Sequence, residues 1–242
     1  MSDSSFDPEW YKVAAAQSLE RKSKARASAY AGDTFLVVTE GAVTEPTYFH
    51  LLRTELQLKA VTVKIQPSWA SDPRHVVNAA ADVVEEHAKR ARRNKLANDE
   101  VRKYDHVWAV IDTDVAQRQG YWNDVVQLAQ SRKVKLAHST PCVEFWFLLH
   151  FGYTTRGDLF DGTTAKKAVE AALGQPYSTN EETAKKAIPQ FLAMWPDAVC
   201  NAERVREHHF DTGSAQPANP STEVDVLVRA LNNAAPKHKR RL

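Results

Sequence analysis

Two kinds of hydrophobic pattern alternate along the first two-thirds of the chain. Thr34-Phe-Leu-Val-Val-Thr39 and Val107-Trp-Ala-Val-Ile111 are short, uninterrupted apolar runs rich in β-branched residues. Such runs suit strands buried on both faces. Val61-Thr-Val-Lys-Ile65 alternates and Val134-Lys-Leu-Ala-His138 is similar, so both read as further strands. Between the strands the apolar positions fall at helical spacing. Tyr48, Phe49, Leu51, Leu52 and Leu56 form one stripe, and Trp122, Val125, Val126 and Leu128 form another within a helix expected over 121–132. A third helix is expected from Pro73 to about Arg93, capped by Ser71 or Asp72. Alternation of strand and helix predicts an α/β fold with a largely parallel central sheet flanked by helices.

Pro141 opens an apolar block, Cys142 to Phe151, that reads as a buried helix. From Thr154 the strand signal stops. Glycines and prolines punctuate amphipathic helices expected over 163–173, 179–195 and 198–209, and a loop is expected over 213–220. Ser221-Thr-Glu reads as the capped start of a last helix. The resulting division is an N-terminal helical arm (1–33), an α/β core (34–153), a C-terminal helical region (154–235) and a basic tail (236–242). The arm reads first as solvated, with docking on the sheet, on a partner or on a phosphate backbone through Arg21, Lys22, Lys24 and Arg26 as alternatives; the tail reads first as solvated, with nucleic-acid contact as the alternative. The basic run 89–95 reads first as cations that complement a helix C-terminus, with a phosphate-holding patch as the alternative.

Composition changes this picture little. The chain has 242 residues, 43% hydrophobic and 26% charged, enough for one sizeable core. A net charge of +2 neither demands nor excludes nucleic acid. The two cysteines, Cys142 and Cys200, have no metal-ligand spacing, which implies a reducing compartment. No apolar run has the length of a signal or membrane span, so a cytoplasmic location and no membrane partner are expected.

The candidate chemistry lies where the strands end. The run to Ile111 is followed by Asp112-Thr-Asp114, and the run to Thr39 by Glu40-Gly41. Alternate residues of an extended segment point the same way, so Asp112 and Asp114 are expected to project together from a strand's carboxyl edge. Open α/β sheets place their sites there. Like charges so close call for a cation between them, and oxygen donors favour Mg²⁺ or Mn²⁺. Gly41 allows a tight turn into a helix with Thr44 as its expected N-cap. Glu45 either complements that helix dipole or holds metal. Glu144 is the one carboxylate in the apolar block and needs a partner, as a buried salt bridge or in a site. His150 reads first as a structural histidine.

A strand ending in Glu-Gly and a later one ending in Asp-x-Asp resemble the Toprim domain of topoisomerases, primases and OLD-type nucleases. With Glu40-Gly-Ala-Val-Thr-Glu-Pro-Thr-Tyr-Phe49 and Ser139-Thr-Pro-Cys-Val-Glu-Phe-Trp-Phe-Leu-Leu-His150, the chain resembles the RloB family from about Phe35 to the last helix. That family is associated with phage defence and includes the AbiLii abortive-infection protein. The resemblance implies a Toprim-like core and a Mg²⁺- or Mn²⁺-dependent nuclease acting on DNA or RNA, tRNA included. It makes Glu40 the acid–base residue and Asp112 and Asp114 the metal ligands, with Glu40 and Glu45 also in the metal set. Glu144 and His150 take supporting roles. It also implies an ATPase partner, and a homo-oligomer is compatible with it. Related nucleases use a lysine, for which Lys64, Lys133 and Lys135 are open. A non-catalytic nucleic-acid or nucleotide sensor within an ATPase complex is the alternative. Primase-type nucleotidyl transfer ranks third, because neither a zinc module nor a triphosphate loop is evident.

Overall fold

The structure, a computed structural model, describes residues 33–58, 72–93 and 103–242 in full and 61–65 by their backbone. The arm up to residue 32, Lys64's side chain and the end of the basic run at 94–95 lie outside the described residues. The elements of the first half are β1 (Phe35–Thr39), α1 (Thr44–Glu55), β2 (Val61–Ile65), α2 (Pro73–Arg93), β3 (His106–Asp112), α3 (Asp114–Arg118), α4 (Trp122–Arg132) and β4 (Lys135–Thr140). There follow α5 (Glu144–Leu148), α6 (Gly162–Leu173), α7 (Glu181–Ala193), α8 (Trp195–Asp211), β5 (Ser221–Thr222) and α9 (Val224–Ala234).

The fold is α/β, as the alternation of patterns predicts. The strands form one sheet in the order β2-β1-β3-β4-β5, parallel throughout except for β5. The chain therefore steps from β1 to β2 on one side and returns to β3 on the other side of β1. That reversal places a switch point between the carboxyl ends of β1 and β3, where open parallel sheets leave a crevice.

The strand pleat divides the core. Phe35 and Val37 of β1, with Trp108 and Val110 of β3, face one apolar cluster that contains α1 and α5 through α9. Leu36, Val38, Ala109 and Ile111 face the opposite cluster, built on Val76, Val77 and Ala80 of α2 and Val125 and Ala129 of α4. This is the period-two alternation of a strand buried on both sides. The C-terminal helices share their core with the sheet, through Phe191, Trp195, Val199 and Leu227 among others. They are a layer of this molecule, and that layer reaches the crevice.

Several local expectations are revised. Ser221 and Thr222 are a strand, paired antiparallel with Thr140 and Ser139, and α9 begins later, at Val224, with no side-chain cap bond. Two residues are too short to carry a period. The Thr222 hydroxyl meets Ser139 across the sheet edge at 2.8 Å and also accepts from the Val224 N–H at 3.2 Å, while the Ser221 hydroxyl donates to the Ala218 carbonyl at 2.6 Å. The block after Pro141 forms only a five-residue helix, α5, followed by a turn. The end of the basic tail is docked, since Arg241 lies over the Trp195 ring and reaches Glu55 Oε1 at 2.9 Å.

Candidate active site

Glu40 leaves β1 beside β3: its N–H donates to the Val110 carbonyl at 3.0 Å. Its carboxylate turns over the end of β3, where Glu40 Oε2 accepts from the Asp112 N–H at 3.1 Å. Parallel pairing of Thr39 with Val110 brings these two acids together from distant sequence positions. Asp112 in turn reaches forward, and its Oδ1 accepts from the Val143 N–H at 2.9 Å just before α5.

Asp114 arrives by another route than expected. The strand ends at Asp112, Thr113 has helical dihedrals, and Asp114 is the first residue of α3. The two aspartates are therefore not alternate residues of one extended segment. Hydrogen bonds fold the chain over there instead. The Thr113 N–H donates to the Ser139 carbonyl at 3.0 Å, and the Thr113 and Thr140 hydroxyls meet at 2.7 Å. Asp114 still lines the same cleft as Glu40 and Asp112.

Glu45 is buried, and its carboxylate accepts from the Gly41 N–H at 2.8 Å and from the Thr44 hydroxyl. Thr44 is the first residue of α1 rather than its cap, and Val43 takes the cap position without a side-chain bond. Gly41 is required here for space: a Cβ on it would lie 2.2 Å from Glu45 Oε2. Gly41→Ala is accordingly expected to push the Glu45 carboxylate off both donors while the backbone stays. Losing charge-assisted hydrogen bonds of this kind costs about 1–3 kcal/mol, measurable by urea denaturation. A crystal structure of the variant with Glu45 unmoved would refute the account.

The cleft has a volume of about 600 Å³. One wall carries Glu40, Glu45, Asp112 and Asp114, and Glu144 of α5 joins them. The other wall comes from the helical layer, as Gly162 and Lys166 of α6 and Thr179 before α7. Lys166 is the cation among these lining residues, and sequence reasoning missed it. Lys133 and Lys135 border a different cavity, with Tyr104 and Arg132. His150 does not reach the cleft. It is buried, pairs with the Tyr48 hydroxyl at 3.2 Å and the Trp146 carbonyl at 2.9 Å, and burial pulls its pKa down to about 3. It is a neutral structural histidine.

Burial raises the pKa values of Glu40, Asp112 and Glu144. Burial pushes Glu40 up to about 7; the Asp112 N–H opposes this, while the charges of Glu45, Asp114 and Asp72 add to it. Burial also moves Asp112 well above the usual carboxylate range, helped by Glu40, Glu144 and Glu45 and opposed by the Val143 N–H. Glu144 is raised by burial too, against the Cys142 thiol and the Lys166 charge. Such a site gains from a cation. Among the described residues no three His, Cys, Asp or Glu side chains already close around one metal-sized point. An open, all-oxygen set still suits Mg²⁺, which keeps several waters and takes only one or two carboxylates.

Residues 35–231 match the family of RloB-like proteins. The chain belongs to the RloB-like protein family. The comparisons with curated proteins and with solved structures return no match. The family match spans both walls of the cleft, so in this RloB-like chain the helical layer belongs to the shared unit. No helix among the described residues is long and apolar enough to cross a membrane.

Proposed function

We propose that this RloB-like protein is a Mg²⁺- or Mn²⁺-dependent nuclease with a Toprim-like site, hydrolysing phosphodiesters of DNA or RNA. The observation that carries this reading is the convergence of Glu40 and Asp112 at the switch point, linked by the 3.1 Å hydrogen bond, in a cleft faced by Lys166. A divalent cation bound there supplies Lewis-acid polarisation of a phosphoryl oxygen and a more acidic bound water. Asp112 and Asp114 are the oxygen donors that would hold it, and Glu45 would serve a second cation. Glu40, poised near pH 7, moves a proton to or from the reacting oxygens. Lys166 lines the same cleft, its charge reaching Glu144, and is the cation there that would meet a phosphate.

An effector role in phage defence with an ATPase partner follows from the family resemblance and forms part of this reading. The test is incubation of the purified protein with tRNA and DNA, with Mn²⁺, Mg²⁺ or chelator, with and without a cognate ATPase. Metal-dependent strand cleavage is expected. Binding without any cleavage, even with the ATPase, favours a sensing subunit instead.

The metal part has its own readout. The double variant Asp112→Asn with Asp114→Asn is expected to stay folded, because the amide oxygen that replaces Asp112 Oδ1 still accepts from the Val143 N–H. Its Mn²⁺ affinity should fall at least tenfold in calorimetry, since two charged donors become neutral. An unchanged affinity refutes the ligand assignment.

A further inference from the structure

Asp114 stands at the cleft on a helix too short to hold itself. α3 has five residues, and a single helical turn is marginal in water without outside contacts. One contact is apolar: Ala116 is fully buried in the cluster built on α2 and α4. That anchors one side of the turn. Asp114 adds little of its own. Its N–H donates to the Pro141 carbonyl at a long 3.3 Å, and its Oδ1 accepts from the adjacent Val115 N–H at 2.6 Å.

Gln117 holds the other side, with both ends of its amide in use. Its Oε1 accepts from the Thr113 hydroxyl at 3.3 Å, and its Nε2 donates to the Pro217 carbonyl at 2.8 Å. A carbonyl can only accept, so this orientation of the amide is forced. Thr113 is fully buried between the two aspartates, and a hydroxyl has one proton to give. Having given it to Gln117, Thr113 takes one from Thr140 at 2.7 Å. Donation therefore runs from Thr140 through Thr113 and Gln117 to Pro217. The last acceptor is itself fixed. Pro217 lies between α8 and β5, where His209 of α8 bonds the Ser214 hydroxyl at 3.1 Å and the Pro220 carbonyl at 2.8 Å.

We infer that Gln117 is a positioning residue for the metal site: by joining Thr113 to the Pro217 carbonyl, it keeps the turn that presents Asp114 beside Asp112 in place. This rests on the metal-dependent reading of the same cleft and adds the group that preorganises its two aspartates. Without that tie the turn spends part of its time elsewhere. Apparent affinity for a cation then falls by the fraction of time the turn is in place.

The test variant is Gln117→Met, which keeps length and helix propensity and loses both hydrogen bonds. Its Mn²⁺ affinity in calorimetry should fall about tenfold, the low end for groups that support metal ligands. In the cleavage assay the half-saturating Mn²⁺ concentration should rise by the same factor, with the rate at saturating Mn²⁺ unchanged, because bound metal then holds Asp114 itself. Without metal, the Gln117 and Gln119 N–H groups, bonded to the Thr113 and Val115 carbonyls, should exchange faster with deuterium. The Glu40 N–H, bonded to the Val110 carbonyl, should not. Gln117→Glu keeps the shape and the acceptor but loses the donor, and it should show the same faster exchange. Unchanged exchange in either variant, or unchanged Mn²⁺ affinity in Gln117→Met, overturns the inference and leaves the metal reading standing. So does faster exchange throughout β1 and β3, since Gln117 would then support the whole fold rather than the turn. A wild type that binds no Mn²⁺ overturns the metal reading, and this inference with it.

Discussion

Glu40→Gln is expected to lower phosphodiester cleavage by about 10²–10⁴-fold, the usual contribution of general acid–base catalysis, while nucleic-acid binding is kept or tightened. The swap is isosteric, and the new amide oxygen can still accept the Asp112 N–H, so the junction of β1 and β3 should hold. What disappears is a group that titrates near neutrality. An amide has no useful acid–base pKa, whereas burial and the neighbouring acids bring Glu40 to about 7. Removing one negative charge near a phosphate cannot weaken electrostatic attraction. Cleavage lost together with binding retained is therefore the signature, read by single-turnover assays beside anisotropy. A variant that cuts at the wild-type rate ends the assignment of Glu40 as the proton-moving group.

The second large effect concerns stability. Trp146→Ala is expected to destabilise the protein by about 3–5 kcal/mol, in the range for truncating a buried aromatic. Trp146 is fully buried in α5, its ring 6.1 Å from Tyr48 and 4.8 Å from His150 by centroids. The short helix has no surface of its own: Glu144 through Leu148 are all buried, between the sheet and the helical layer. A cavity there cannot be filled by a side chain swinging in from solvent. Typical domains are stable by only about 5–15 kcal/mol, so urea denaturation should show a large drop in midpoint. Glu144, two residues before the tryptophan, lies on the cleft wall, so metal affinity should fall as well. A midpoint within experimental scatter of wild type would show that α5 does not bind the layers together.

The link between these two predictions is the short segment from Asp112 to Trp146. Asp112 holds the Val143 N–H, and Thr113 holds Thr140. The acids at the strand ends are thereby tied to the helix that anchors the C-terminal layer. Site geometry and global packing meet in the same residues, which explains why a carboxylate as buried as Glu144 is tolerated. Its burial, which raises its pKa, is offset first by the Cys142 thiol and then by the more distant charge of Lys166 from that layer.

By itself the sequence determined the parts whose signal is local. Period-two burial and unbroken apolar runs identify β1 and β3, and chain direction then dictates that Glu40 and Asp112 sit at carboxyl ends. The parallel α/β class follows from the alternation with helical stripes, and the Glu-Gly, Asp-x-Asp and Pro-Cys-x-Glu motifs pointed to the family. His150 as a structural residue was also legible, because its neighbours are apolar nearly all round. The tertiary structure alone decided the rest. No periodicity says that α6 folds back onto the sheet's carboxyl edge, so Lys166, Thr179 and Gly162 gave no sign of being site residues. Lys133 and Lys135 looked closer in sequence, but they flank the start of β4, at the opposite end of the strand from the acids. Asp114 entered through a helix start because Thr113 satisfies its N–H on the Ser139 carbonyl, a partner remote in sequence. The two-residue β5 exists only because the end of β4 offers it a free edge. In each case the deciding interaction joins residues far apart along the chain, where short-range patterns of hydrophobicity carry no information.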